Sequence, residues 1–189
     1  MVADTSKTDE QIVALVQKGD RDMYALIVER YERKLLRYGV YLLKDHDIAA
    51  DIVQDTFIKA YINLQSFNTH KKFSSWIYRI AHNEAINYIK RSKKSHTFTE
   101  LDTDEDDYLA EYTLEKVIDK NLMKANVQKC LKNVDIKHQE IIGLFYFEGL
   151  KYEEISDILH MPTSTVGVKV SRARKALKDV CQKQGVSYE

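Results

Sequence analysis

Between Thr163 and Lys183 the chain carries six lysines or arginines against one acid, Asp179, a local balance of +5. At about 100° per residue, Ser164, Val168, Ser171, Arg172, Lys175 and Lys178 fall on one side of a helix. Val166, Val170, Ala173 and Leu177 fall on the other side, where they can be buried. Hydroxyls can bond to base edges or phosphates, and cations neutralise phosphate charge, so this face suits nucleic-acid binding. A solvated basic surface helix is the competing reading, and the preceding residues argue against it. Tyr152, Ile155, Ile158 and Leu159 give a short helix one apolar face, and His160-Met161-Pro162 breaks it at the chain's one proline. Thr163 is then placed to cap the next helix with its hydroxyl. A short helix, a tight turn and a longer basic helix make a helix-turn-helix, whose second helix enters the major groove.

Catalytic signatures are missing: the sequence has no P-loop, Gly-rich dinucleotide turn, HExxH pair or nucleophile elbow. No enzymatic activity and no cofactor are expected. The six histidines show no metal-ligand spacing. Cys130 and Cys181 lie far apart and outside any CxxC pair. No apolar run reaches the roughly 20 residues of a membrane span, and the polar start MVADTSKTDEQ has no signal-peptide core. A cytoplasmic protein without membrane insertion is expected, and in that compartment its two thiols stay reduced rather than paired.

The elements that must position the basic helix are helical throughout. Only six glycines and one proline in 189 residues leave little turn material for a sheet, so an all-α fold is expected. Apolar periodicity predicts helices near Asp9–Val16, Met23–Leu43, Ile48–Leu64 and Phe73–Arg91. The formal net charge of zero conceals segregation. Residues 65–94 carry seven cations against Glu84, and residues 100–119 carry nine acids against Lys116. The stretch 95–121, short of aliphatic residues, reads as a flexible acidic linker. It divides a first domain, 9–94, from a second, 122–182.

Within the third predicted helix, Ala49, Val53, Thr56, Ala60 and Leu64 make a narrow core stripe. Asp51, Gln54, Asp55, Ile58 and Ile62 project to the opposite side. Isoleucines among acids on an outward face suggest a protein contact, the alternative being a helix buried on both sides. In the fourth, Phe73, Trp76, Ile77 and Ile80 form an inward stripe, while Ser75, Arg79, His82, Asn83 and Lys90 lie elsewhere. A polar, basic and aromatic surface suits single-stranded nucleic acid. Trp76 fits either the core or a base-stacking platform, and its stripe spacing favours the core.

Three stretches resemble the sigma-70 family of bacterial transcription initiation factors, in particular its extracytoplasmic-function (ECF) group. Asp51-Ile-Val-Gln-Asp-Thr-Phe-Ile-Lys-Ala-Tyr61 is similar to region 2.2, and SFNTHKKFSSWIYRIAHNEAINYIKRSKK to regions 2.3 and 2.4. Tyr152-Glu-Glu-Ile155, Met161-Pro162, Thr165-Val166 and Ser171-Arg-Ala-Arg-Lys-Ala-Leu177 resemble region 4. The resemblance implies that Asp51, Gln54, Asp55, Ile58 and Ile62 dock on the β′ clamp helices of RNA polymerase core. It implies that Phe67, Asn68, Lys71, Lys72, Ser75, Trp76, Arg79, His82, Asn83 and Lys90 engage melted −10 promoter DNA. The loop Ser66–Lys72 would capture an extruded base. Ser164, Thr165, Val168, Lys169, Ser171, Arg172 and Lys175 would contact the −35 element. Further implied partners are the polymerase β flap and a cognate anti-sigma factor, the free protein being a monomer or a heterodimer with that factor. The family's intermediate domain and any autoinhibitory N-terminal extension are not expected, and the acidic linker would mimic nucleic acid along polymerase channels. The rival is a stand-alone helix-turn-helix regulator, which would usually dimerise, yet the sequence shows no heptad. The chain departs from the family pattern at His160, where glycine is usual, at Gly167, where lysine is common, and at Val168-Lys169, where Ser-Arg is frequent. Gly167 would let the helix approach DNA more closely, or would weaken its hold.

Overall fold

The computed structural model describes residues 7–94 and 130–185; the expected linker and residues 122–129 lie outside them. Among the described residues every regular element is helical, and the chain divides into two compact units.

The first unit contains α1 (Asp9–Gln17), α2 (Tyr24–Leu43), α3 (His46–Asn63) and α4 (Phe73–Lys94). Thr8 opens α1 with a capping box: its hydroxyl accepts the Gln11 N–H, and the Gln11 side chain accepts the Thr8 N–H. Asp45 caps α3 by accepting the Ile48 N–H at 2.9 Å, so α3 starts two residues earlier than its apolar pattern predicts. Between α2 and α3, Lys44 takes a left-handed conformation (φ 56°) that ends one helix and frees the next.

The core of this unit joins Ile12, Val13 and Val16 of α1 to Ile27, Tyr31 and Leu35 of α2, Ala49, Val53 and Ala60 of α3, and Phe73, Ile77 and Tyr78 of α4. Tyr31 sits edge-on to both Phe73 and Tyr78, with centroids 5.7 and 6.4 Å apart, a favoured aromatic geometry. Its hydroxyl donates to Asp9 at 2.5 Å, and Arg30 pairs with the same carboxylate at 2.7 Å. The tie holds α1 against α2.

The second unit contains a helical segment at residues 130–132, α5 (Ile136–Ile142), a π-helical turn at Gly143–Phe147, α6 (Tyr152–Leu159) and α7 (Thr163–Lys183). Its core includes Leu131, Val134, Ile141, Ile142, Leu144, Ile155, Val166, Val170 and Ala173. Buried Gln139 donates to the carbonyls of Lys132 and Val134, satisfying backbone acceptors before α5.

Contrary to the expectation of separate thiols, Cys130 and Cys181 are joined by a disulfide, with Cα atoms 5.2 Å apart and both residues fully buried. Linear spacing does not reveal the pair, because only the fold brings the 130–132 segment against the last turns of α7.

Candidate nucleic-acid and partner interface

The stripe read from α3 is buried as expected: Ala49, Val53, Thr56, Ala60 and Leu64 are 5 % exposed or less. Thr56 is tolerated there because its hydroxyl donates to the Ile52 carbonyl at 2.7 Å. Ile52 and Phe57 are buried as well, so the core side of α3 is wider than the stripe. Asp51, Gln54 and Asp55 are exposed, as are Ile58 (51 %) and Ile62 (69 %).

Periodicity along α3 does not reveal that α2 completes this face. Val28, Glu32 and Leu36 form the other wall of a groove of about 450 Å³, opposite Ala50, Asp51, Val53, Gln54, Phe57 and Ile58. Nearby, exposed Tyr61 stacks edge-on against Tyr24, whose hydroxyl donates to the Phe57 carbonyl at 2.7 Å. Burial, reinforced by the Tyr61 phenol, pushes the Tyr24 phenol well above its ordinary range. Lys59 pairs with Glu84, linking α3 to α4.

A second hollow brings together Phe67, Asn68, Lys71, Lys72, Ser75, Trp76 and Arg79, seven of the ten residues expected to engage −10 DNA. Ser66 adds to its lining. Phe67 and Ser75 contribute from buried positions rather than as free surface groups. Phe67 packs against both Phe73 and Trp76, at 5.5 and 5.0 Å between centroids, and the Ser75 hydroxyl donates to the Lys72 carbonyl. Trp76 is half-buried, so it packs on Phe67 and Phe73 while still facing the hollow. Asn83 and Lys90 are exposed on α4 outside this lining. His82 is half-buried, with Nδ1 3.1 Å from the Tyr38 hydroxyl.

The loop bearing Asn68 and Lys71 is held at both ends by α1. The Gln17 amide donates to the carbonyls of Leu64 (2.8 Å) and Phe67 (2.9 Å), and the Gln65 amide returns a bond to the Gln17 carbonyl. At the far end the Phe73 N–H donates to the Glu10 carboxylate at 3.1 Å. Inside the loop, the Asn68 side chain accepts the His70 N–H. Sequence reading missed both clasps, since bonds to distant backbone carbonyls leave no periodic trace.

In the second unit, α6 and α7 form the expected helix-turn-helix. The Ser156 hydroxyl donates to the Met161 carbonyl at 2.6 Å across the turn. His160 adopts the left-handed conformation (φ 50°, ψ 49°), which glycine would enter without steric cost. Pro162, not Thr163, occupies the cap position of α7. Its fixed φ suits the helix entry, and its carbonyl accepts the N–H groups of Thr165 and Val166. Val166, Val170 and Ala173 are buried, while Ser164, Val168, Ser171, Arg172, Lys175 and Lys178 are exposed and Thr165 and Lys169 half-buried. A β-carbon at Gly167 would meet the Tyr152 ring at 3.5 Å, an ordinary contact, so packing does not demand glycine there.

A helical unit with an exposed mixed apolar–acidic face and a basic hollow, followed by a helix-turn-helix unit, defines a two-part DNA-binding protein. Residues 27–95 match the Sigma-70 region 2 family and residues 124–177 match Sigma-70, region 4. The ECF RNA polymerase sigma factor SigW of Bacillus subtilis is 36 % identical over 171 residues, covering 86 % of this chain and 91 % of that protein. The chain belongs to the ECF group of the sigma-70 family.

Among solved structures, the Bartonella quintana sigma factor RpoE, in complex with the anti-sigma factor NepR, is 25 % identical with a TM-score of 0.63. That likeness covers 82 % of this chain and 96 % of that one. CnrH, solved with the cytosolic domain of CnrY, shares the fold at 21 % identity and a TM-score of 0.67, covering 93 % of this chain and 97 % of that one.

Proposed function

We propose that this chain is a promoter-specificity subunit that directs RNA polymerase core to its start sites without catalysing a reaction of its own. The observation that carries this reading is one unit offering Ile58 and Ile62 to a protein partner, while the other offers Ser164, Ser171, Arg172 and Lys175 to duplex DNA. A regulator binding DNA alone has no use for the first surface.

In this reading Asp51, Gln54, Asp55, Ile58 and Ile62 dock on the β′ clamp helices. The Gln17-clasped loop and α4 hold melted −10 DNA, and α7 lies in the −35 major groove. The side chains around the −10 hollow divide the work chemically. Lys71, Lys72 and Arg79 neutralise phosphates, Trp76 offers a ring for stacking, and Asn68 offers amide hydrogen bonds to an unpaired base. Extruding a base costs a few kcal/mol, which these contacts must offset.

The protein works in the cytoplasm, contacts the β flap through the second unit, and is restrained by an anti-sigma factor that masks these faces, in keeping with a stress or envelope response. Among the described residues no helix is long and apolar enough to cross a membrane.

Run-off transcription with purified core polymerase and fragmented genomic DNA tests the proposal. New start sites that appear only with this protein, preceded by shared upstream sequences, are expected. Absence of such sites, or tight gel-shift of the same DNA by the protein alone, would reject it in favour of a stand-alone regulator.

A further inference from the structure

Val168 is 50 % exposed near the middle of the N-terminal half of α7, on the face that carries Ser164, Ser171 and Arg172. Neither helix formation nor packing accounts for a valine here. Its branched side chain is a poorer helix former than alanine, and the core stripe of α7 runs through Val166, Val170 and Ala173 instead. The residue before it, Gly167, adds no side chain of its own. The two methyl groups therefore stand out among hydroxyls and a guanidinium.

In the major groove, A·T and T·A differ from G·C in one apolar feature, the C5-methyl group of thymine. Residues in the N-terminal part of a recognition helix are those that reach base edges. A hydroxyl or cation in the place of Val168 would seek a base nitrogen or oxygen, whereas valine can add only apolar contact. We infer that Val168 is a specificity determinant that reads a thymine methyl group in the −35 element, resting on the assignment of α7 as the −35 reader. Ser164 and Arg172, one turn to either side, supply the polar contacts that set the register, and Val168 selects thymine between them.

The test uses the full-length protein assembled with core polymerase on a promoter mapped by run-off transcription. Each thymine of the −35 element is replaced singly by deoxyuridine, which removes the methyl group and leaves every hydrogen-bonding group in place. Open-complex formation is then measured at limiting holoenzyme. Deoxyuridine at one position is expected to weaken binding about three- to five-fold, the effect of one buried methyl group. Val168→Ala and Val168→Ser should bind the thymine and deoxyuridine promoters equally, while Val168→Ile keeps the difference.

Equal binding of all templates by the unsubstituted protein overturns the inference, as does a methyl effect that persists in Val168→Ala, or a −35 element without thymine. Failure to produce any promoter-specific transcript is a different result and rejects the sigma-factor reading itself.

Discussion

A β-carbon placed on Gly39 of α2 would lie 3.1 Å from the β-carbon of Ala49 of α3, so the two helices meet at this point almost backbone to backbone. Both residues are buried, and the contact fixes how far α3 stands from α2. Gly39→Val must push the helices apart or distort them, and overpacking of this kind typically costs about 1–3 kcal/mol. Urea unfolding of the variant should show that loss, and weaker binding to core polymerase should accompany it because the α2–α3 groove changes shape.

Ile58 and Ile62 are half to two-thirds exposed, so changing them removes little from the core. Replacing either with aspartate should leave the unfolding midpoint within about 0.5 kcal/mol of the parent. Affinity for core polymerase should fall at least tenfold, as expected when an apolar anchor is lost at an interface, about 1.4 kcal/mol or more. Fluorescence anisotropy against core polymerase measures both the loss and its size.

Tyr24 links groove and stability through pH. Its phenol is held neutral by burial in the folded state, whereas an unfolded tyrosine ionises near pH 10. The contribution is thus fully present below about pH 10 and is lost as pH rises through the higher folded value. Tyr24→Phe should cost about 1 kcal/mol at neutral pH through the lost bond to the Phe57 carbonyl. It should also flatten the decline in stability seen above pH 10 in alkaline denaturant titrations.

His160 carries a positive φ in the turn of the helix-turn-helix. A non-glycine residue in this conformation costs roughly 1–2 kcal/mol, part of which glycine gives back through its freer unfolded chain. His160→Gly should therefore stabilise the second unit by about 0.5–1 kcal/mol, and His160→Ile should destabilise it. Thermal unfolding of the three proteins gives the order.

The disulfide between Cys130 and Cys181 spans 51 positions of the chain. A cross-link closing a loop of this size typically stabilises by about 2–4 kcal/mol. Reducing agent should lower the unfolding midpoint of the second unit, and Cys130→Ser with Cys181→Ser should abolish that sensitivity. Equal midpoints with and without reductant in the parent would contradict the prediction.

What could be read from the sequence follows the kind of physics involved. The face of α3 and the outward set on α7 were legible because burial repeats every three or four residues, and the structure keeps both sets apart from the core. Features made by two distant segments were not. The α2 wall with Val28 and Leu36, the Cys130–Cys181 pair and the Gln17 clasp all depend on tertiary placement. Ser75 fell on a polar face by projection, yet it lies buried in the first turn of α4, where its hydroxyl bonds back to Lys72. At the entry to α7 a general preference for threonine caps lost to proline, whose geometry leaves fewer ways to begin the helix.

The two clasps from α1 bear on how cheaply a strand can be gripped. With Gln17 at one end of the loop and Glu10 at the other, the span from Asn68 to Lys72 is tethered before any nucleotide arrives. A free loop would have to surrender its wandering at the moment of capture; this one has surrendered most of it during folding, so more of each contact survives as grip. In the proposed reading, the loop that holds the melted strand is thus tensioned by a helix lying ahead of the matched stretch, Gln17 being ten residues before its start. Two members alike in every −10 contact could differ in how readily they open a promoter through this first helix alone.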